Sequence, residues 1–280
     1  MPARRFTDAQ EVIIAQRYLA GESLRSMARE LKTDHNALAS SLRRQGVTQR
    51  EAPERNRLYP LDAHVFDVID TEAKAYWLGF LFADGNVSKR SLSVVLQDAD
   101  SAHLALLGKL IQTSAPIQHR IVHLHGKDYP SAGITVTDQY LATRLRELGI
   151  IPKRSNLLGP LPHIPSTLQR HWIRGFFDGD GSVKIKPSAI FCGNKSLLEY
   201  IQSLLAPHIK RQGSIYAHSK SHVWYLCYAG RLSCLALRDY LYQDATVLLM
   251  RKFERFNAWP EPATNYWERP RKNGRWLKAP

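Results

Sequence analysis

Trp77-Leu78-Gly79-Phe80-Leu81-Phe82-Ala83-Asp84-Gly85 returns in the second half of the chain as Ile173-Arg174-Gly175-Phe176-Phe177-Asp178-Gly179-Asp180-Gly181. Each stretch reads as the end of a helix with small residues four apart, Gly79/Ala83 and Gly175/Gly179, and each closes on Asp-Gly. Glycine inside a helix costs about 1 kcal/mol relative to alanine, and positions i and i+4 share a face. Stripes of small residues let backbones come close, as they do between membrane helices. Each stretch therefore predicts a face that meets another backbone, and the two are candidates to meet each other. Asp84 and Asp180 would then end their helices side by side. A carboxylate at a helix C-terminus loses about 0.3–1 kcal/mol, and two close carboxylates repel further. A bound divalent cation would reverse both penalties. Gly85 and Gly181 suit the left-handed position that follows a helix end. Asp-Gly alone is a common turn. Its recurrence behind the same spacing marks an internal repeat.

On these residues the chain resembles the single-chain LAGLIDADG homing endonucleases, which carry two such motifs. Gly79 and Gly175 match the motif's first glycine, Asp84 and Asp180 its final acid, Gly85 and Gly181 its final glycine. The first copy departs at Phe82, where the family often has an acid; the second keeps one at Asp178. The departure leaves the acidic position that the family uses for metal intact. The likeness covers about residues 68–258. It implies an α+β fold in which two pseudo-symmetric αββαββα repeats pack as a twofold pair, their sheets forming a DNA-binding saddle.

Composition agrees with such a partner. The chain has 280 residues, 44% of them hydrophobic, enough for one large or two smaller cores. Its net charge of +14 points to a polyanion, nucleic acid ahead of an acidic membrane surface. No run of 18 apolar residues could span a membrane, and Met1-Pro-Ala-Arg-Arg-Phe-Thr-Asp has no apolar signal region. Cys192, Cys227 and Cys234 form neither a disulfide framework nor a zinc spacing. They read as reduced thiols of an intracellular protein, one expected in the cytoplasm of a bacterial or phage-infected cell, near the nucleoid. Eleven histidines invite a metal reading, but none has ligand spacing.

Residues 1–46 predict a small all-α helix-turn-helix domain. Thr7 or Asp8 caps a first helix with Val12, Ile13, Ala15 and Leu19 inward. Ser23 caps a second, with Leu24, Met27, Ala28 and Leu31 inward. A third runs from His35 to Gln45 on Leu38 and Leu42, after the connection Lys32-Thr33-Asp34. It resembles the modules of resolvases and phage DNA-binding proteins, whose third helix enters the major groove. His35, Asn36, Ala39, Ser40 and Arg43 would then face DNA, with Arg44 and Arg50 free to meet phosphates. Residues 47–70 form a basic linker in which Arg50, Arg55 and Arg57 could follow a backbone.

Residues 71–160 and 161–258 are the two repeats, each predicted as helix, two strands, helix, hairpin, helix. Residues 259–280 are a basic, Trp-bearing tail. The strands after each motif supply candidate base contacts: Asn86, Ser88, Lys89, Arg90, Ser91, Ser93 and Gln97, then Ser182, Lys184, Lys186 and Ser188. The hairpins add Gln118, His119, Arg120, His123, Lys127, Tyr216, His218, Lys220 and Tyr225. Alternating polar positions usually make a solvated strand face; dominance of Lys, Arg, His and Gln turns this one towards DNA.

Phosphodiester hydrolysis needs an activated water, neutralised phosphate charge and a stabilised leaving oxygen, and two-metal sites meet all three needs. Asp84 and Asp180 are the expected ligands, one per strand cut, with the main-chain carbonyls of Ala83 and Gly179 as further donors. The resemblance implies Mg²⁺ (Mn²⁺ or Ca²⁺ substituting structurally), a duplex DNA target, a functional monomer with no obligate protein partner, and breaks across the minor groove. It also implies a basic or amide side chain that organises water: Lys252, Arg154 and Gln97 are the candidates, each equally suited to a phosphate. A non-cleaving DNA-binding regulator and an RNA maturase are the rival readings. In regulators of this type the motif acids have degenerated, whereas here both remain.

Overall fold

The computed structural model describes residues 5–49, 59–124, 126–151, 161–218 and 223–259, and the backbone of 271–272 and 275–276. They divide into two compact units. One takes in Met1–Asp70 and Asp84–Pro152, the other Thr71–Ala83 and Ile164–Pro280.

The first unit opens with α1 (Asp8–Leu19), α2 (Leu24–Glu30) and α3 (His35–Arg44). Each start has a side-chain cap: Thr7 in a reciprocal box with Gln10, Ser23 on the Ser26 amide, Asp34 on the Ala37 amide. Ile14, Ala15, Tyr18, Leu24, Met27, Leu38, Ala39 and Leu42 make the core. The expected face of α1 is wrong by about one position. Val12, Ile13 and Leu19 are exposed, and Leu31 of the following turn with them. Ile14, Ala15 and Tyr18 point inward together with Glu11, which is 0% exposed. A lone charge on that stripe would oppose its burial. Arg44 resolves the conflict, donating from Nε to Glu11 at 2.8 Å. Ala39, expected on DNA, is core.

The first repeat supplies α4 (Glu72–Asp84), β1 (Gly85–Val87), β2 (Ser91–Gln97), α5 (Ser101–Leu110), β3 (Gln118–Leu124), β4 (Lys127–Thr137) and α6 (Gln139–Glu147). The second supplies α7 (Gln169–Asp180), β5 (Ser182–Val183), β6 (Ser188–Gly193), α8 (Lys195–Leu205), β7 (Ser214–Ala217), β8 (Trp224–Ala229) and α9 (Arg231–Tyr242). After it come α10 (Met250–Asn257) and a short ladder of β9 (Arg271–Lys272) with β10 (Arg275–Trp276). The two repeats share the order αββαββα. Their antiparallel sheets share a strand order, β1-β2-β4-β3 and β5-β6-β8-β7. The fold is α+β.

Period-two burial places each sheet. Leu92, Val94 and Leu96 of β2 and Ala132, Ile134 and Val136 of β4 are buried opposite one another under α5 and α6. Ala189, Phe191, Leu226 and Tyr228 do the same in the second sheet under α8 and α9. Among the described residues the opposite face of each sheet is left without a packed helix, and Ser91, Ser93, Ile190 and Cys192 on it are half-buried.

Candidate functional site

In the second unit α4 and α7 cross at their glycines. A Cβ on Gly79 would lie 1.9 Å from the carbonyl oxygen of Trp172, and one on Gly175 1.9 Å from that of Tyr76. The backbones touch, as the small-residue stripes predicted. Phe82 packs edge-on against Trp172 beside the crossing, ring centres 5.5 Å apart.

Asp84 is the last residue of α4 and Asp180 the last of α7. Asp84 is half-buried and Asp180 exposed. The glycines after them are not left-handed. Gly181 has φ −82° and ψ 163°, and Gly85 opens β1 opposite Val94 without a positive φ. Close contact, not backbone conformation, selects Gly181: a Cβ there would lie 2.3 Å from Phe177's carbonyl oxygen and 2.4 Å from its ring.

Beneath Asp180 sits Lys252, 4% exposed. Its Nζ donates to the carbonyls of Phe177 (3.3 Å), Gly179 (3.4 Å) and Gly181. An ammonium there satisfies carbonyls that a helix end leaves open and offsets the negative end of its dipole. This is where the structure places the residue expected to organise water. Gln97 ends β2 with its amide on Asp100 at 2.9 Å. Arg154 lies outside the described residues.

A polar network that the sequence did not announce ties both motif helices together. Asp178, fully buried, accepts from Tyr76 Oη at 2.8 Å, Tyr242 Oη at 2.5 Å and the Leu249 amide at 2.7 Å. Arg174, also fully buried, donates to Glu72 at 2.6 Å and to the carbonyls of Leu241 and Val247. Burial pushes the Asp178 carboxyl up despite its three donors, and burial beside that carboxylate holds both tyrosine hydroxyls well above their ordinary range. Burial would raise Glu72 too, but the Thr246 amide and the Arg174 charge outweigh it and hold it low. Breaking such a buried set by removing one partner costs about 3–5 kcal/mol, although the intact set is weak evidence of net stabilisation. An arginine in the middle of an apolar helix was the signal available in the sequence.

His171 belongs to this network, accepting from Arg174 Nη1 through Nδ1 at 2.9 Å. Burial, reinforced by Arg174, lowers its pKa from 6.5 to about 4. Between those values the unfolded chain binds a proton that the fold does not, so stability falls as pH drops through the window. The slope reaches at most about 1.4 kcal/mol per pH unit. Urea midpoints at about pH 7 and pH 5 should therefore differ more for the native chain than for His171→Gln. Equal differences would place the proton elsewhere.

The register sorts the remaining candidates. On the first sheet's helix-free face lie Asn86, Ser91, Ser93 and Gln97, joined by Gln118, Arg120 and Lys127. His119 and His123 fall on the other face, paired opposite Ala132 and Asp128. Ser88, Lys89 and Arg90 form the β1–β2 turn, where the Ser88 hydroxyl accepts the amides of Arg90 and Ser91. In α3, His35, Asn36 and Arg43 are exposed and Ser40 is half-buried. On the second sheet Ser182, Ser188 and Tyr216 share the helix-free face with Ile190, Cys192, Tyr225 and Cys227. The expected excess of cations is missing from its centre. Lys184 and Lys186 lie just past the end of β5, in the connection to β6, because β5 is too short to carry them. His218 sits edge-on to Tyr225. Arg50, Arg55, Arg57 and Lys220 lie outside the described residues.

The end of α7 offers an exposed carboxylate, Asp180, beside the Gly179 carbonyl, which Lys252 reaches at 3.4 Å. Among the described residues no three His, Cys, Asp or Glu side chains converge. Hard oxygen donors of this kind suit a divalent cation that keeps most of its waters. No helix among the described residues is long and apolar enough to cross a membrane.

Residues 167–242 match the family model of a LAGLIDADG-like domain. No curated protein matches the chain. Among solved structures, full-length DUF199/WhiA from Thermatoga maritima is similar at 14% identity, covering 74% of this chain and 68% of that one, with a TM-score of 0.43. The homing endonuclease I-WcaI bound to its DNA recognition sequence is similar at 10% identity, covering 69% and 90%, with a TM-score of 0.48. I-DmoI in complex with DNA and Mn is similar at 18% identity, covering 63% and 96%, with a TM-score of 0.41.

Proposed function

We propose that this chain is a site-specific DNA endonuclease of the homing type that makes a double-strand break by divalent-cation-dependent hydrolysis. One observation carries the reading: both motif helices end in a carboxylate, Asp84 and Asp180, each leading directly into a four-stranded antiparallel sheet. Each carboxylate would hold the cation of one strand's cut, with the carbonyls of Ala83 and Gly179 as further donors. Mg²⁺, when bound, supplies the charge that stabilises the attacked phosphate and its leaving oxygen. Lys252 holds the end of α7, and so Asp180, in place. Gln97 and Arg154 are the other candidates for ordering water.

The sheet faces and α3 read the duplex. Arg120, Lys127, Lys89 and Arg90 serve the first sheet, Lys184 and Lys186 the second, and Asn36 and Arg43 the three-helix segment, an arrangement that suits a helix-turn-helix. Domain limits follow as 1–46, 47–70, 71–160, 161–258 and 259–280. The chain acts as a monomer on DNA inside the cell.

Selection from randomised duplexes tests this. Incubation with Mg²⁺ should yield two staggered breaks at one sequence. With Ca²⁺, the same duplex should be retained uncut. Salt-sensitive, selective binding with no break under any divalent metal would instead identify a non-cleaving regulator.

A further inference from the structure

The two repeats start their last helix differently, and the difference is one of charge. Ser91 pairs with Thr137 at the end of β4 as Ser188 pairs with Ala229 at the end of β8. Asp138 and Gly230 therefore hold the same place, before α6 and α9. Asp138 caps its helix, its carboxylate accepting the Leu141 amide at 2.7 Å. Gly230 has φ +88°, where glycine alone is at ease, and gives α9 no side-chain cap. The Ser233 amide stands where that of Leu141 does, and it has no hydrogen-bond acceptor among the described residues. Nor has the Ser233 hydroxyl a partner among them, although the residue is only 9% exposed. Arg231 begins the same turn with Nε and Nη2 shielded from water, again without a partner among the described residues. First-turn amides carry the positive end of the helix dipole. One repeat supplies its own anion there, and the other leaves the position open.

A cavity of about 230 Å³ opens at that position, lined by Ser233 and Arg211. Arg211 is exposed and has no carboxylate partner among the described residues. Its loop is pinned: the Gln202 amide donates to the Gly213 carbonyl at 2.6 Å, and a Cβ on Gly213 would lie 2.7 Å from the Leu226 side chain. An amide, a hydroxyl and a guanidinium around one cavity, at the positive end of a helix, suit a tetrahedral oxyanion. We infer that this cavity holds one backbone phosphate of duplex DNA, between Arg211 and the first turn of α9. It opens beside β7, the edge strand of the second sheet, so a duplex laid on that sheet's helix-free face brings a strand to its mouth. The inference rests on the proposed DNA binding but not on cleavage. A phosphate contact reads no sequence; it fixes register. It gives the second half of the target an anchor that the cation-poor centre of its sheet lacks.

The test uses the full chain with labelled duplex DNA, of selected and of random sequence, read by anisotropy in Ca²⁺ over a salt series. Arg211→Gln should weaken binding to both duplexes about equally, by roughly tenfold. It should also lower the slope of log affinity against log salt by about one. Ser233→Asp puts a carboxylate into the cavity, which suits the helix end but repels a phosphate. Binding should fall at least as far, while the melting temperature holds. A methylphosphonate moved along each strand of the selected target removes one charge at a time. One position should weaken the native chain and leave Arg211→Gln unmoved, a result that a merely structural role does not produce. Unchanged affinity and slope in both variants, or no position that loses its effect in Arg211→Gln, would overturn the inference and leave the proposed function standing. Inorganic phosphate that raises the melting temperature of the native chain but not of Arg211→Gln, with duplex binding unmoved by either substitution, would mark a small-anion site and overturn it too. A native chain that binds no duplex at all would remove the proposed function and this site's role with it.

Discussion

Asp180→Asn is expected to turn a double-strand cutter into a nicking enzyme. If each motif carboxylate serves one strand, the variant should cut the Asp84 strand normally and the other at least about 10³-fold more slowly, the equivalent of about 4 kcal/mol of lost transition-state stabilisation. Asp84→Asn should nick the opposite strand, and the double variant should do neither. A supercoiled plasmid carrying the selected target reads this directly, since nicking gives open circles and cutting gives linear molecules. Stability should barely move, because Asp180 is exposed at the C-terminus of α7 and Lys252 already offsets the negative helix end there. A nicking variant that melts like the native chain is difficult to explain by misfolding. Loss of both cuts from either single change would mean that the acids share one centre, and two intact cuts in the double variant would sink the assignment.

Gly175→Ala should destabilise the second unit by about 3 kcal/mol, the upper end for overpacking. Two effects oppose each other. Alanine is the better helix former by about 1 kcal/mol. Against it stands a Cβ placed 1.9 Å from the carbonyl oxygen of Tyr76 and 2.8 Å from the amide nitrogen of Phe80, where ordinary contact begins at 3.4 Å. The obstacle is main chain, which cannot rotate away, so the helices must part and lose contact along the crossing. Gly79→Ala meets the same wall in Trp172 and should do equal damage. Gly193→Ala, whose nearest neighbour would be the ring edge of Phe176 at 3.4 Å, is the control and should cost little. Thermal melts should show the first two falling by roughly 6–12 °C; an unchanged melt for either would mean that the close approach is not structural.

The features legible in the sequence were those with a periodic or repeated signature. Small residues four apart, twice over, announced a backbone contact that the structure puts at Gly79 and Gly175. Strict alternation at Leu92, Val94 and Leu96 announced β2. Errors arose where a long-range partner changed the meaning of a local pattern. Val12, Ile13 and Leu19 looked inward, but Arg44, far along the chain, makes burial of Glu11 tolerable, and α1 is rotated accordingly. Arg174 and Asp178 sat in an apolar helix with no visible partners, because Glu72, Tyr242 and Leu249 come from three distant segments. Gly181 follows a helix as a left-handed cap would, yet the ring of Phe177 is what excludes a side chain. The Lys-rich second sheet failed on strand length, since β5 ends before its lysines begin.

Helix α4 belongs to the second compact unit, although the strand that follows it belongs to the first. On the ribosome the helix is made long before the partner that covers its glycine face. At about 5–20 residues per second, the interval between Gly79 and Gly175 leaves Trp77, Leu78, Phe80 and Leu81 waiting for roughly 5–20 s. A nascent chain of this design must hold an apolar helix in reserve through the synthesis of an entire sheet. Its yield in a cell then depends on chaperone occupancy and elongation speed as well as on the stability of the finished molecule.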